Sequence, residues 1–343
     1  MKKIFTLLLV ALAFSSTSFA EENTGVKLKI TSNDWQEYEC LLSKVDSVKF
    51  IVDEDNRDYI VDGALTAASY KVSDSRSVYF SQGNLQFNAM QGTHKTVDGT
   101  AKGTWRFAEK QYECIGSINE KISENYDGWI DLFGWGTSGW NSGAIDYQPW
   151  TYSFSTNTYY PGGYRSNNLT GAYANADWGV YNAISNGGNE PNRWRTLTAS
   201  EWKYLFQNSQ WTLGYIRNNN GTSRLCFMLV PKEFAEPEGV TVTVLTTGYD
   251  SVPSTNKYSA EQFAALEKSG VVALPCGGER ISRRLVIEIG SEGHYWSSSD
   301  AYESSSVYYD SGYAYNFCYA LGVGLCQEAR CYGESVRLVQ DVP

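Results

Sequence analysis

Apolar and polar residues alternate in short, strand-sized runs along most of this chain. Val26-Lys-Leu-Lys-Ile30, Glu37-Tyr-Glu-Cys-Leu-Leu42 and Val48-Lys-Phe-Ile-Val52 are separated by turn residues, which predicts a small β-meander over residues 21–52. Residues 53–63 are acidic and polar and read as a linker. From Ala64 the runs resume at Tyr70–Val72, Val78–Ser81, Leu85–Phe87 and Thr104–Phe107, with Gly83-Asn84 as a turn. Later runs are Leu225–Pro231, Val240–Leu245 and Val271–Pro275. Helical spacing appears twice. Thr198-Ala-Ser-Glu201 is a capping box followed by Trp202, Leu205 and Phe206, and Ser259-Ala-Glu-Gln262 is a second, followed by Phe263 and Leu266 with Gly270 as the stop. Short strands with two interposed helices predict an α+β domain over residues 64–343.

Two stretches depart from this rhythm. In Gly128–Trp140, glycines separate tryptophans, a pattern suited to close backbone approach with large rings filling the remaining space. The polar, Tyr-rich loop of residues 141–175 has a length common among functional loops. The last fifty residues are more distinctive. Gly293-His-Tyr-Trp-Ser-Ser-Ser299 and Gly333-Glu-Ser-Val-Arg-Leu-Val339 read as fixed strands, and the tract between them is built largely from Tyr, Ser, Ala, Gly, Val and Cys. Alternation places Tyr313, Tyr315, Phe317 and Tyr319 on one face and Ala314, Asn316, Cys318 and Ala320 on the other. A row of rings serves a core, because aromatics dominate cores. It also serves a binding face, where Tyr gives rigid amphipathic contact area and Ser, Gly and Asn adapt around it. The pattern leaves both readings open.

Composition narrows the function classes. Lys2 and Lys3, the apolar run Ile4–Phe14 and Ser18-Phe19-Ala20 predict a cleaved signal peptide over residues 1–20, too short to span a bilayer. Export to the periplasm, cell surface or extracellular space follows, with no membrane span expected elsewhere. Without Lys2 and Lys3, 26 of the 28 basic residues remain against 38 acidic ones, a net charge near −12 that repels nucleic acid. The seven cysteines are odd in number and irregularly spaced, which gives little support to a disulfide framework. Two histidines, His94 and His294, supply almost no material for a zinc site or a catalytic triad, and His294 is expected at the surface. No catalytic residue, metal or cofactor is expected.

Longer motifs then carry a resemblance. Trp194-Arg-Thr-Leu-Thr-Ala-Ser-Glu-Trp202 is similar to the Arg-Leu-Pro-Thr-x-x-Glu-Trp segment of formylglycine-generating-enzyme relatives, and Gly333-Glu-Ser-Val-Arg337 is similar to their closing Gly-Phe-Arg strand. Val78–Phe87, Gly128–Trp140, Asp177-Trp-Gly-Val-Tyr-Asn182 and Tyr295-Trp-Ser-Ser298 resemble the Fibrobacter succinogenes major paralogous domain-like proteins exported by Bacteroides-type and Fibrobacter-type bacteria, over about Ala64 to Gln340. The resemblance implies a C-type-lectin-like fold in which two helices flank small sheets and C-terminal strands present a ligand face. Some relatives are targets of diversity-generating retroelements, which mutate adenines in a C-terminal repeat. Every residue from Tyr313 to Cys326 belongs to the set that mutated AAC or AAT codons can encode, whereas Gln327, Glu328 and Glu334 would be fixed.

Three other readings compete with ligand recognition. A copper-dependent oxidase of the formylglycine-generating type needs a Cys-x4-Cys thiolate pair, and Cys326 and Cys331 have that spacing. The resemblance, however, places the pair near Ser298 and Glu303, and residues five apart on an unbroken strand face opposite sides. Glu190-Pro191-Asn192 matches a calcium-and-sugar tripeptide of mannose-type lectins but precedes the first helix instead of following both. A structural component of a surface assembly would use the same exposed rings as a binder. The expectation is a non-enzymatic, exported recognition protein, a variable protein in the retroelement sense. Its protein or glycan ligand would be bound by Tyr302, Tyr308, Tyr313, Tyr315, Tyr319 and Tyr332, with Asp300, Asn316 and Arg330 supplying polar specificity.

Overall fold

The computed structural model describes residues 27–31, 37–41, 57–163, 167–246, 251–282, 285–301, 313–318 and 324–343. The chain divides into two compact units, Met1–Asn56 and Arg57–Pro343. In the first, β1 (Lys27–Thr31) and β2 (Glu37–Leu41) pair antiparallel, with Lys27 opposite Leu41 and Thr31 opposite Glu37. This is the hairpin expected of the first two alternating runs. Residues 1–20, expected as a signal peptide, and the run at residues 48–52 lie outside the described residues.

The second unit begins earlier than the sequence suggests, because residues 57–63 are not a linker. The Tyr59 hydroxyl donates to Glu267 at 2.7 Å, and Arg57 reaches the same carboxylate at 3.3 Å. Between them and the expected start, β3 (Ile60–Val61) and β4 (Ala64–Leu65) close a two-residue hairpin through Asp62 and Gly63 at φ 48° and 82°. Positive φ at both central residues is what such a tight turn demands, and Asp-Gly supplies it.

The chain continues through β5 (Tyr70–Lys71), β6 (Ser77–Phe80), β7 (Leu85–Thr96) and β8 (Gly99–Phe107). A short helix α1 (Trp178–Tyr181) precedes β9 (Arg195–Thr196), α2 (Ala199–Asn208), β10 (Gln210–Arg217) and β11 (Ser223–Val230). After β12 (Lys257–Ser259) come α3 (Ala260–Lys268), β13 (Val272–Pro275), β14 (Glu279–Ser282) and β15 (Leu285–Ile287). The C-terminal part holds β16 (Tyr313–Cys318), β17 (Gly324–Ala329) and β18 (Leu338–Asp341). Small mixed sheets with few helices make this an α+β unit, as expected. Among the described residues no helix is long and apolar enough to cross a membrane.

Two four-stranded sheets enclose much of the core. One has the order β5-β6-β18-β9, so the last strand of the chain is inserted between elements from its beginning and middle. The other has the order β12-β10-β11-β13, with β10 and β12 parallel. Val78, Phe80 and Val339 of the first sheet pack with Phe227, Leu229, Val272 and Leu274 of the second and with Trp202 and Leu205 of α2. A separate cluster of Phe87, Trp105, Phe133, Trp135, Trp178, Trp194 and Trp296 underlies the C-terminal region. Of the tryptophans in the Gly-rich segment, Trp135 fills this interior, Trp140 packs against it partly buried, and Trp129 is half-buried beneath the Arg106 guanidinium.

Both capping boxes form as the sequence predicts. Thr198 Oγ1 accepts from the Glu201 amide and the Glu201 carboxylate accepts from the Thr198 amide, and Ser259 and Gln262 do the same for α3. The alternation over Val240–Leu245 does not make a strand. Its backbone is irregular, with the Val242 amide bonded to Glu236 and the Thr243 amide to Asn256. Side chains meet these two amides, and the Leu245 amide reaches the Trp211 carbonyl of β10 at 3.0 Å.

Candidate functional site

The C-terminal hairpin stands on a platform built from distant segments. Residues 333–335 are held from three sides by backbone bridges: Gly333 to Arg280, Glu334 to Phe133, and Ser335 to Tyr295. Gly333 is required at its place, since a Cβ there would sit 2.7 Å from Nη2 of the buried Arg280. Indole nitrogens lock the underlying layer, with Trp296 Nε1 donating to the Phe133 carbonyl at 2.6 Å and Trp135 Nε1 to that of Ser297 at 2.8 Å. Arg337, also fully buried, donates to Gln111 at 2.9 Å.

On this platform β16 and β17 form an antiparallel ladder in which Tyr313 opposes Ala329, Tyr315 opposes Gln327, Asn316 opposes Cys326 and Phe317 opposes Leu325. Along β17 Gln327 is exposed, and Leu325, Cys326, Glu328 and Ala329 are half-buried. Leu325, near the hairpin's end, packs against the cluster around Trp202 and Phe227.

The nine residues expected to bind ligand separate into groups. Tyr313, Tyr315 and Asn316 lie on β16 within this ladder. Tyr332 is half-buried in the turn that follows β17, its amide bonded to the Ala329 carbonyl at 2.8 Å. Tyr302, Tyr308 and Tyr319 lie outside the described residues. Arg330 is corrected: its side chain is fully buried, with the guanidinium carbon 4.4 Å from the ring centroids of both Trp135 and Tyr160. Asp300, itself only 12 % exposed, pairs with it. A guanidinium inserted between two rings and closed by a carboxylate is a structural clamp at the root of the hairpin and presents nothing outward.

Beside the hairpin lies a group that sequence reasoning missed. Gly278 at φ 70° and Glu288 at φ 61° shape a fold-back in which the Gly278 amide donates to the Glu292 carbonyl at 2.9 Å. A Cβ on Gly278 would stand 2.0 Å from the Ile287 carbonyl oxygen, so this turn requires glycine. His294 is 4 % exposed, which corrects its expected surface position, and its Nε2 is 3.3 Å from carboxylate oxygens of both Glu288 and Glu292. Glu279, on β14, is 8 % exposed. Burial, together with the nearby carboxylates of Glu328, Glu288 and Glu292, pushes its pKa up to about 8. The available signal was Glu288 and Glu292 at a four-residue spacing just before His294, but only the fold brings Glu279 to them.

The other candidate chemistries do not assemble. Cys331 is buried, and burial pushes its thiol up to about 11, so at neutral pH it holds a proton instead of offering a thiolate. Ser298, at one of the positions matched to a copper ligand, is buried beneath α2 with its amide bonded to Leu197, and Glu303 lies outside the described residues. Glu190 pairs with Lys95 at 2.6 Å, and Asn192, at φ 59°, donates its amide to the Val180 carbonyl in the turn leading to β9. An aromatic cavity lined by Phe87, His94, Trp105, Trp150 and Tyr181 encloses about 200 Å³. That falls short of the roughly 300 Å³ at which small-molecule pockets begin. Comparison with family models, curated proteins and solved structures yields no match to this chain.

Proposed function

We propose that this is an exported recognition protein of C-type-lectin-like fold, binding a protein or glycan ligand through the tyrosine-bearing face of β16 and β17 and performing no chemistry of its own. The observation that carries this reading is the exposure of Gln327 directly opposite Tyr315. Residues opposed across an antiparallel ladder share a face. The face of Gln327 is thus the one to which the register assigns Tyr313 and Tyr315, and the alternate face carries the half-buried Cys326 and Glu328. Because Leu325 is seated on the core and Ala329 is half-buried, the exposed part of that face is at Gln327, opposite Tyr315. A rigid base favours affinity, since ordering costs are met before binding. The permitted-codon set over Tyr313–Cys326 supports a diversified surface on that base.

The test is binding of the mature protein to arrays of glycans and purified surface proteins, compared with Tyr313→Ala and Tyr315→Ala. Each substitution is expected to weaken the strongest interaction by tenfold or more, as central aromatic anchors do. Melting temperatures should stay within about 2 °C of wild type. A ligand held equally well by wild type and both variants contradicts the assignment.

A further inference from the structure

Glu279, Glu288 and His294 come from three different segments, yet one ligand atom from each lies within 4.8 Å of the other two. Ligands about 2.1 Å from a metal lie roughly 3 to 4 Å apart, so small side-chain shifts bring the three atoms onto one ion, and His294 Nε2 and Glu288 already stand 3.3 Å apart. A second observation points the same way. Glu279 Oε2 is buried and has no hydrogen-bond partner, in a side chain that is more than nine-tenths enclosed. A carboxyl group removed from water without a donor keeps its proton until a cation takes the proton's place. Its charged neighbours, Glu288, Glu292 and Glu328, only add negative charge. Glu292 contributes a further oxygen, 3.3 Å from the imidazole nitrogen.

We propose that Glu279, Glu288 and His294 form a binding site for a divalent transition-metal ion, with Glu292 placed to complete the coordination. An imidazole nitrogen among carboxylates selects zinc and its first-row neighbours over calcium and magnesium, which take oxygen ligands. Burial of Glu279 and His294 gives the site a fixed floor, and Glu288, whose side chain is 35 % exposed, leaves a path for entry. The bound charge also lies near Glu328 on β17, so the ion would tie the hairpin to the open end of the β14–β15 pair whatever ligand that hairpin takes.

The mature protein, stripped with a chelator and exchanged into chelator-free buffer, is titrated with zinc by calorimetry, with metal content and melting temperature measured in parallel. One zinc per chain and a melting temperature that rises with zinc are expected. Glu279→Gln should abolish stoichiometric binding while melting at or above the metal-free wild type, because a buried ionisable carboxyl has been removed. Glu288→Gln, at a partly exposed position, should weaken binding at least tenfold with the fold intact, and it decides the matter should the first variant fail to fold. Absence of stoichiometric zinc in the wild type overturns the proposal. So does zinc retained equally by the variants, as cysteine thiols would hold it, or a preference for calcium, which would remove His294 from the ligand set.

Discussion

Where β17 ends, Arg330 turns inward, and the stability of the hairpin's root depends on how its charge is met. Its guanidinium has two aromatic faces and the Asp300 carboxylate. Removing Asp300 takes a carboxylate away from a buried guanidinium, so Asp300→Ala is expected to cost about 3 kcal/mol in urea denaturation. Replacing both, as Asp300→Ala with Arg330→Met, should recover most of that loss, and a double variant no more stable than Asp300→Ala would contradict the clamp. Arg330 was misread from sequence for a physical reason. An arginine amid Cys, Tyr and Gly has the composition of a binding loop, and the rings that enclose it stand far away in the chain at Trp135 and Tyr160. His294 was misplaced for the same reason, its burial being made by Glu288, Glu292 and the fold-back at Gly278.

At the scale of elements, what depends on neighbours in sequence was legible. The two capping boxes are four-residue patterns, and both form with reciprocal hydrogen bonds. In α2 the cap is joined to a wider network, since the Glu201 carboxylate also receives both terminal nitrogens of Arg195 at 2.8 and 2.9 Å. Thr198→Ala should therefore lower stability by about 1 kcal/mol, the ordinary cost of losing an N-cap, read as a shift in denaturant midpoint. Thr198→Ser should restore it. Elements that depend on partners were read less well. Gln210–Arg217 is a strand despite its central Gly214, because Met228 and Tyr258 leave little room for a side chain there. Val240–Leu245 has the more strand-like alternation, but its Val242 and Thr243 amides are met by the side chains of Glu236 and Asn256, and the Leu245 amide reaches β10 at the Trp211 carbonyl. Alternation records where apolar residues fall, and pairing is decided elsewhere.

For the whole molecule, the α+β class followed from the mixture of short runs and capped helices. The insertion of β18 between β6 and β9 did not, because nothing local marks the pairing of Val339 with both Phe80 and Arg195. That closure fixes both ends of the large unit in one sheet and presents β16 and β17 from a foundation of buried tryptophan and arginine. The account therefore turns on which way the hairpin's phenols point. Radical iodination of the native mature protein, mapped by mass spectrometry, reads this directly at each tyrosine. Tyr313 and Tyr315 should be modified nearly as fast as tyrosine in the unfolded chain, while the enclosed Tyr70, Tyr159 and Tyr295 stay protected until unfolding. Protection of Tyr313 and Tyr315 equal to that of Tyr295 would contradict the account.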